Sequence, residues 1–174
     1  MLLPLFAEFF VTGAIRMNLW KQEYRLDLDV IDTQHKQFFS LCAEVAQLAE
    51  TTTSDRKAVE IVIRKLGAIR SYAFFHFKTE EEIMLKFRYP GYLEHTSFHN
   101  GYLQKMIEFE QEFRELLSGV AKGEGDDQKL RAYLGGLSEF VADWWGDHIV
   151  SQDRLYAAHI KENKSAMKDP ALSA

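Results

Sequence analysis

The chain has 174 residues, 47% of them hydrophobic and 27% charged, with a formal net charge of −5. Length and balance fit one domain with a real core and exclude a disordered or fibrous chain. The acidic excess argues against a nucleic-acid partner, and the single cysteine, Cys42, excludes an internal disulfide framework and points to a reducing, cytoplasmic compartment.

Residues 1–16, MLLPLFAEFFVTGAIR, form an apolar run that is short for a bilayer span, carries Glu8 and lacks the basic leader of a signal peptide. They read as an N-terminal extension, best explained as a start-site artefact with Met17 as the true start, and no membrane span is expected. A first helix is predicted over 33–50, with Asp32 as its N-cap and Phe38, Phe39, Cys42, Val45 and Leu48 on its apolar face. A second begins at a cap on Ser54 or Asp55 and runs to about 87, with Val59, Val62, Leu66, Ile69 and Ala73 inward; Pro90-Gly91 then breaks the chain. The third covers 92–120, its face carrying Tyr102, Met106, Phe109, Phe113 and Leu117. An acidic, glycine-containing loop over 122–127 ends in a cap. The fourth helix is predicted over 128–158, with Leu130, Leu134, Leu137, Val141 and Trp144 inward. Gly135-Gly136 within it reads as a close helix approach or a local bend. A polar tail occupies 161–174. With no strand alternation and prolines only at Pro4, Pro90 and Pro170, the pattern predicts an all-α, antiparallel up-down-up-down four-helix bundle over 17–160.

Polar residues interrupt the apolar stripes. His76 and Glu80 are four apart, as are His95 and His99, so each pair stacks on one helix face, and in both cases that face is the core stripe. His35 lies four residues after Ile31, His148 four after Trp144, and Asp153 follows one and a half turns later. Buried ionisable groups are costly unless paired or metal-bound. In an antiparallel bundle the start of helix one, the end of two, the start of three and the end of four share one end. At about 1.5 Å rise per residue, all seven side chains fall within about two turns of a common level. A lone histidine on an apolar face is usually a hydrogen-bonded core residue, but five histidines and two carboxylates at one depth point to a metal layer. His159 lies beyond that layer and reads as a surface residue.

Five imidazoles and two carboxylates exceed the needs of one ion. Two octahedral first-row ions offer about twelve positions; these side chains, with both carboxylates and one oxygen bridging, fill about eleven and leave one. A donor set rich in neutral imidazole favours reversible exchange with O2 over O–O cleavage, and zinc would do no redox chemistry.

The stretches Trp20…Tyr24, Ile31-Asp-Thr-Gln-His35-Lys36, His76-Phe-Lys-Thr-Glu80-Glu81, Met84, Tyr89-Pro90, His95-x3-His99 and Trp144-x3-His148-Ile149-x3-Asp153 closely resemble the hemerythrin family, especially its single-domain bacterial members, over about 18–156. The resemblance implies two iron ions, oxo- and carboxylate-bridged. His95, His99 and His148 would bind the saturated iron, and His35 and His76 the iron with the open position. Glu80 and Asp153 would bridge. It implies a non-enzymatic protein that binds O2 reversibly for transport, storage or delivery, with an O2-consuming protein as recipient. Peroxide or nitric-oxide chemistry at the same centre, O2 or redox sensing, and iron handling are the competing readings. The sequence leaves the oligomeric state open. One departure concerns the pocket formed by Trp144 and Trp145: the family usually has a leucine lining the O2 pocket where this chain has Trp145. An indole there either narrows the open position, slowing O2 exchange or altering autoxidation, or turns into the helix interface and packs.

Overall fold

The structure, a computed structural model, describes residues 19–121 and 126–166. The expectations for 1–16, for most of the 122–127 loop and for the tail beyond 166 lie outside the described residues, whereas residues 161–166, expected as tail, are helical. Four long helices run α1 (Asp29–Thr51), α2 (Arg56–Lys86), α3 (Tyr92–Ala121) and α4 (Asp127–His148). A π-helical turn (Ile149–Asp153) extends α4 directly into α5 (Arg154–Ala166), and a short 3-10 turn (Gln22–Tyr24) precedes α1. Among the described residues there is no strand, and no helix is long and apolar enough to cross a membrane. The helices form the expected bundle: α1 packs on both α2 and α4, and α3 packs on α2 and, less closely, on α4.

Local chemistry explains where the elements start. The Asp55 carboxylate accepts from the amides of Lys57 and Ala58, and Asp126 does the same for Gln128 and Lys129, satisfying amides that a helix start leaves unpaired. At α1 the sequence expectation needs correction. The helix begins four residues earlier than predicted, at Asp29, and Asp32 is not the cap. Asp32 sits within the first turn, and its carboxylate reaches back to accept from the amides of Leu26 (2.8 Å) and Asp27 (3.0 Å). That contact holds the incoming chain, in which Asp27 adopts a positive φ of 58°.

The core has two halves. Phe38, Val45, Val62, Leu66, Ile69, Met106, Phe113, Leu130, Leu134, Leu137 and Val141 fill the apolar half, each nearly inaccessible to solvent. The far end of that half is clipped shut: Asp127 accepts from the Ser54 amide (2.7 Å), and Arg131 donates to the Thr52 carbonyl (2.8 Å). At the opposite end buried polar residues share the core with Ile31, Met84, Ile149 and Ile160. There the segment before α1 folds over the bundle, Tyr24 stacking on Phe39 at 5.1 Å between ring centres. Gly146 permits this, since a Cβ at that position would lie 2.7 Å from the Tyr24 hydroxyl.

Gly135 and Gly136 do not serve a close helix approach: a Cβ added at either meets nothing within 4 Å. The irregularity of the fourth helix lies at the π turn instead. Gly136 is exposed and helical, so its backbone freedom only costs folding entropy. Gly136→Ala is expected to stabilise the domain by about 0.5–1 kcal/mol, read as a raised midpoint of denaturant unfolding with an unchanged slope.

Candidate metal centre

All seven sequence-predicted donors meet in one buried layer. His35 comes from α1, His76 and Glu80 from the last turns of α2, and His95 and His99 from the first turns of α3. His148 closes α4, and Asp153 ends the π turn. None is more than 5% exposed. The π turn is what brings Asp153 in. In a regular α-helix each residue advances about 100°, so a residue five positions after His148 would face about 140° away from it. A π turn closes hydrogen bonds over five residues, which returns position i+5 to the same face. Asp153, expected inward on a regular helix, is turned inward through the π turn instead.

The donor atoms fall into two groups that share the carboxylates. On one side are Nε2 of His95, His99 and His148. Oε2 of Glu80 lies 3.7 Å from the first and 3.1 Å from the second, and Oδ1 of Asp153 lies 3.5 Å from His95 and 3.1 Å from His148. On the other side Nε2 of His35 and His76 are 3.2 Å apart. Glu80 presents Oε1 to them at 3.9 and 3.3 Å, and Asp153 presents Oδ2 to His35 at 3.4 Å. Donor atoms of Glu80, His95, His99 and His148 all lie within 4.8 Å of one another, as do those of His35, His76 and Glu80.

This donor set fits a cation. Nε2 of His95, His99 and His148, Oε2 of Glu80 and both oxygens of Asp153 are buried without a hydrogen-bond partner. So many unsatisfied polar atoms in one layer would be heavily penalised unless an ion took their lone pairs. Protonation states agree. Burial, opposed by the charge of Glu80, pushes His76 below its ordinary value, favouring the neutral imidazole. Burial and the neighbouring Glu80 act to raise Asp153, but His148 and His35 outweigh them and hold its carboxyl at about 2. Burial likewise opposes ionisation of Glu80, and His76, His95 and His99 still keep it well below the usual carboxylate range.

A surrounding set of side chains orients these donors, and the sequence reading missed it. His76 Nδ1 donates to Gln34 Oε1 (2.9 Å), and Gln34 donates in turn to Thr79 Oγ1 (3.2 Å). His99 Nδ1 faces Glu81 Oε1 at 3.4 Å. Such partners fix the tautomer that leaves Nε2 free to coordinate. The Tyr156 hydroxyl donates to Glu80 Oε1 at 2.8 Å. Burial and the charges of Glu80 and Asp153 push Tyr156 well above its ordinary value, so it remains a donor. The available signals were adjacency, Gln34 beside His35 and Glu81 beside Glu80, and the three-residue spacing from Asp153 to Tyr156.

Trp144, expected inward, is only half-buried. Trp145, not Trp144, is the deeply buried one, on the stripe of Leu134, Leu137, Val141 and His148. Its indole stacks on Phe38 at 3.4 Å, lies 5.7 Å from Phe77, and borders the His76 and His35 rings at 4.9 and 6.0 Å. Packing in the helix interface and bordering the two-histidine side are therefore the same position. Trp144 is half-buried and stacks flat on His148 at 4.4 Å. His159 is not a free surface residue either: its ring nitrogen donates to the Phe87 carbonyl (2.9 Å), tying α5 to the end of α2.

Comparison with known proteins agrees with this geometry. The Hemerythrin HHE cation binding domain matches residues 26–160. A bacteriohemerythrin of Clostridium acetobutylicum is 25% identical, over 80% of this chain and 98% of its own. One of Stenotrophomonas maltophilia is 28% identical over 82% and 81%, and a myohemerythrin of Sipunculus nudus 24% over 79% and 89%. A crystal structure of a hemerythrin with one leucine replaced by tyrosine superposes with a TM-score of 0.60 at 25% identity, covering 83% of this chain and 97% of that one. With the family match spanning most of its length, and a buried histidine and carboxylate cluster suited to non-haem iron, this chain belongs to the hemerythrin family.

Proposed function

We propose that the domain binds O2 reversibly at two irons bridged by an oxo group and by the carboxylates of Glu80 and Asp153, and that it carries, stores or delivers O2. His95, His99 and His148 would hold one iron, and His35 and His76 the iron with the open position. The observation that supports this most is that Glu80 and Asp153 each turn one oxygen toward the three-histidine group and the other toward the two-histidine group. When bound, a ferrous pair in such a set supplies the electrons for reversible O2 binding. The chain's own residues do the rest. Five imidazoles, oriented where Gln34 and Glu81 meet them, bring no negative charge of their own, so among the protein groups only the two carboxylates would offset the metal charge. Phe38, Phe77, Tyr102 and Trp145, all nearly inaccessible, keep bulk water from the layer.

Metal analysis with an optical spectrum tests the reading. Two irons per chain and an oxo-bridged ferric spectrum that changes with azide are expected, as is spectroscopic cycling with O2 that does not consume reductant. One iron per chain, or steady turnover of peroxide or nitric oxide, would reject it. Stripping the metal with a chelator should lower the unfolding temperature, because the seven donors then stay buried without a cation.

Trp145 borders the two-histidine side, so its indole is proposed to restrict the open position. Trp145→Leu is expected to speed O2 release and to cost about 2–3 kcal/mol of stability from the volume removed. Stopped-flow O2 release identical to the parent's would show that the indole only packs.

A further inference from the structure

The two carboxylates of the layer are not held alike. Asp153 has two side-chain torsions, sits at the end of the π turn, and neither of its oxygens has a hydrogen-bond partner. Glu80 has one more torsion, and the last one, which sets the plane of the carboxylate, has only broad preferences. Its Oε2 is flanked by His99 and His95 at 3.1 and 3.7 Å, while its Oε1 is flanked by His76 and His35 at 3.3 and 3.9 Å. The Tyr156 hydroxyl donates to Oε1, the oxygen on the two-histidine side, and both side chains are fully buried. The Tyr156 ring is fixed edge-on against His95 at 5.5 Å and near Tyr89 at 6.4 Å, so the hydroxyl is aimed by packing. Its backbone lies one turn after Asp153, so the π turn that delivers the Asp153 carboxylate also delivers this donor.

We infer that Tyr156 is a positioning residue that sets the carboxylate plane of Glu80 and thereby supports metal binding on the His35/His76 side specifically. This inference rests on the dinuclear reading given above. A hydrogen bond from an un-ionised phenol to a carboxylate is charge-assisted and directional. It holds Oε1 between the phenol and the two imidazoles, where free rotation would turn it away. The three-histidine side has three nitrogens and needs this restraint less. Partners that orient a metal's ligands are typically worth 10–100-fold in affinity, and here that factor falls on one of two positions.

Metal-free protein titrated with Co(II), with a competing chelator and the visible cobalt bands as readout, resolves the two positions. The parent is expected to take two equivalents. In Tyr156→Phe, which keeps the ring and its packing, the weaker equivalent should lose about 10-fold or more in affinity, while the tighter one stays within about twofold. Tyr156→Leu, which also removes the ring, should show the same split plus a lower melting temperature in the metal-free protein. Two unchanged equivalents in Tyr156→Phe, or two weakened alike, would overturn the inference while leaving the dinuclear reading intact. A parent protein that takes only one equivalent would overturn that reading and the inference with it.

Discussion

Seven ionisable side chains buried in one layer are the constraint on which this structure depends. Removing a charged or strongly polar group from water costs several kcal/mol, and mutual attraction in the interior offsets this only when geometry is good and remaining lone pairs are satisfied. Here the histidines hold Glu80 and Asp153 ionised, yet six donor atoms among His95, His99, His148, Glu80 and Asp153 still lack partners. The layer is therefore balanced for a positive ion, and protein groups alone leave it in deficit.

The rest of the fold tolerates and aims that layer. An apolar half from Val45 and Val62 to Leu130 supplies the hydrophobic burial that the polar half cannot. Contacts at the far end, Asp127 to the Ser54 amide and Arg131 to the Thr52 carbonyl, fix the axial register of α4 against α1 and α2. At the near end Asp32 pins the segment before α1, and His159 ties α5 to the end of α2. Register matters because the donors come from four helices, and a slip of one residue would carry a donor about 1.5 Å along its helix and about 100° around it.

The π turn joins structure to chemistry. It puts His148 and Asp153 on one face, although their spacing does not suit an α-helix, and it then sets Tyr156 against Glu80. π turns recur at functional sites because the wider ring weakens the local helix and is kept only where it gains something else. Trp145 shows a related economy. One indole fills the space between Phe38 and Phe77 and borders the two-histidine group, so core packing and the lining of that group depend on the same side chain.

The sequence by itself determined the four long helices, their antiparallel order and the seven ionisable side chains that share one buried layer. Each of these follows from periodicity at 3.6 residues per turn and from which helix ends coincide, both local properties. It also narrowed the α2 cap to Ser54 or Asp55, of which Asp55 serves, and put a cap at the end of the acidic loop before α4, where Asp126 serves, because a carboxylate that caps a helix needs only its own neighbours. Tertiary structure decided the rest. Whether Trp144 or Trp145 goes deeper depends on the rotation of α4 against α1 and α2, since both lie within a turn of His148. Asp32 has the local pattern of a cap, whereas the chain it holds lies upstream, at Leu26 and Asp27. The π turn has no local signature, because it is selected by the need to face Asp153 inward. Tyr156 and Gln34 took their roles only when α5 met α2 and α1 met α2, contacts between residues 76 and 42 positions apart in the chain.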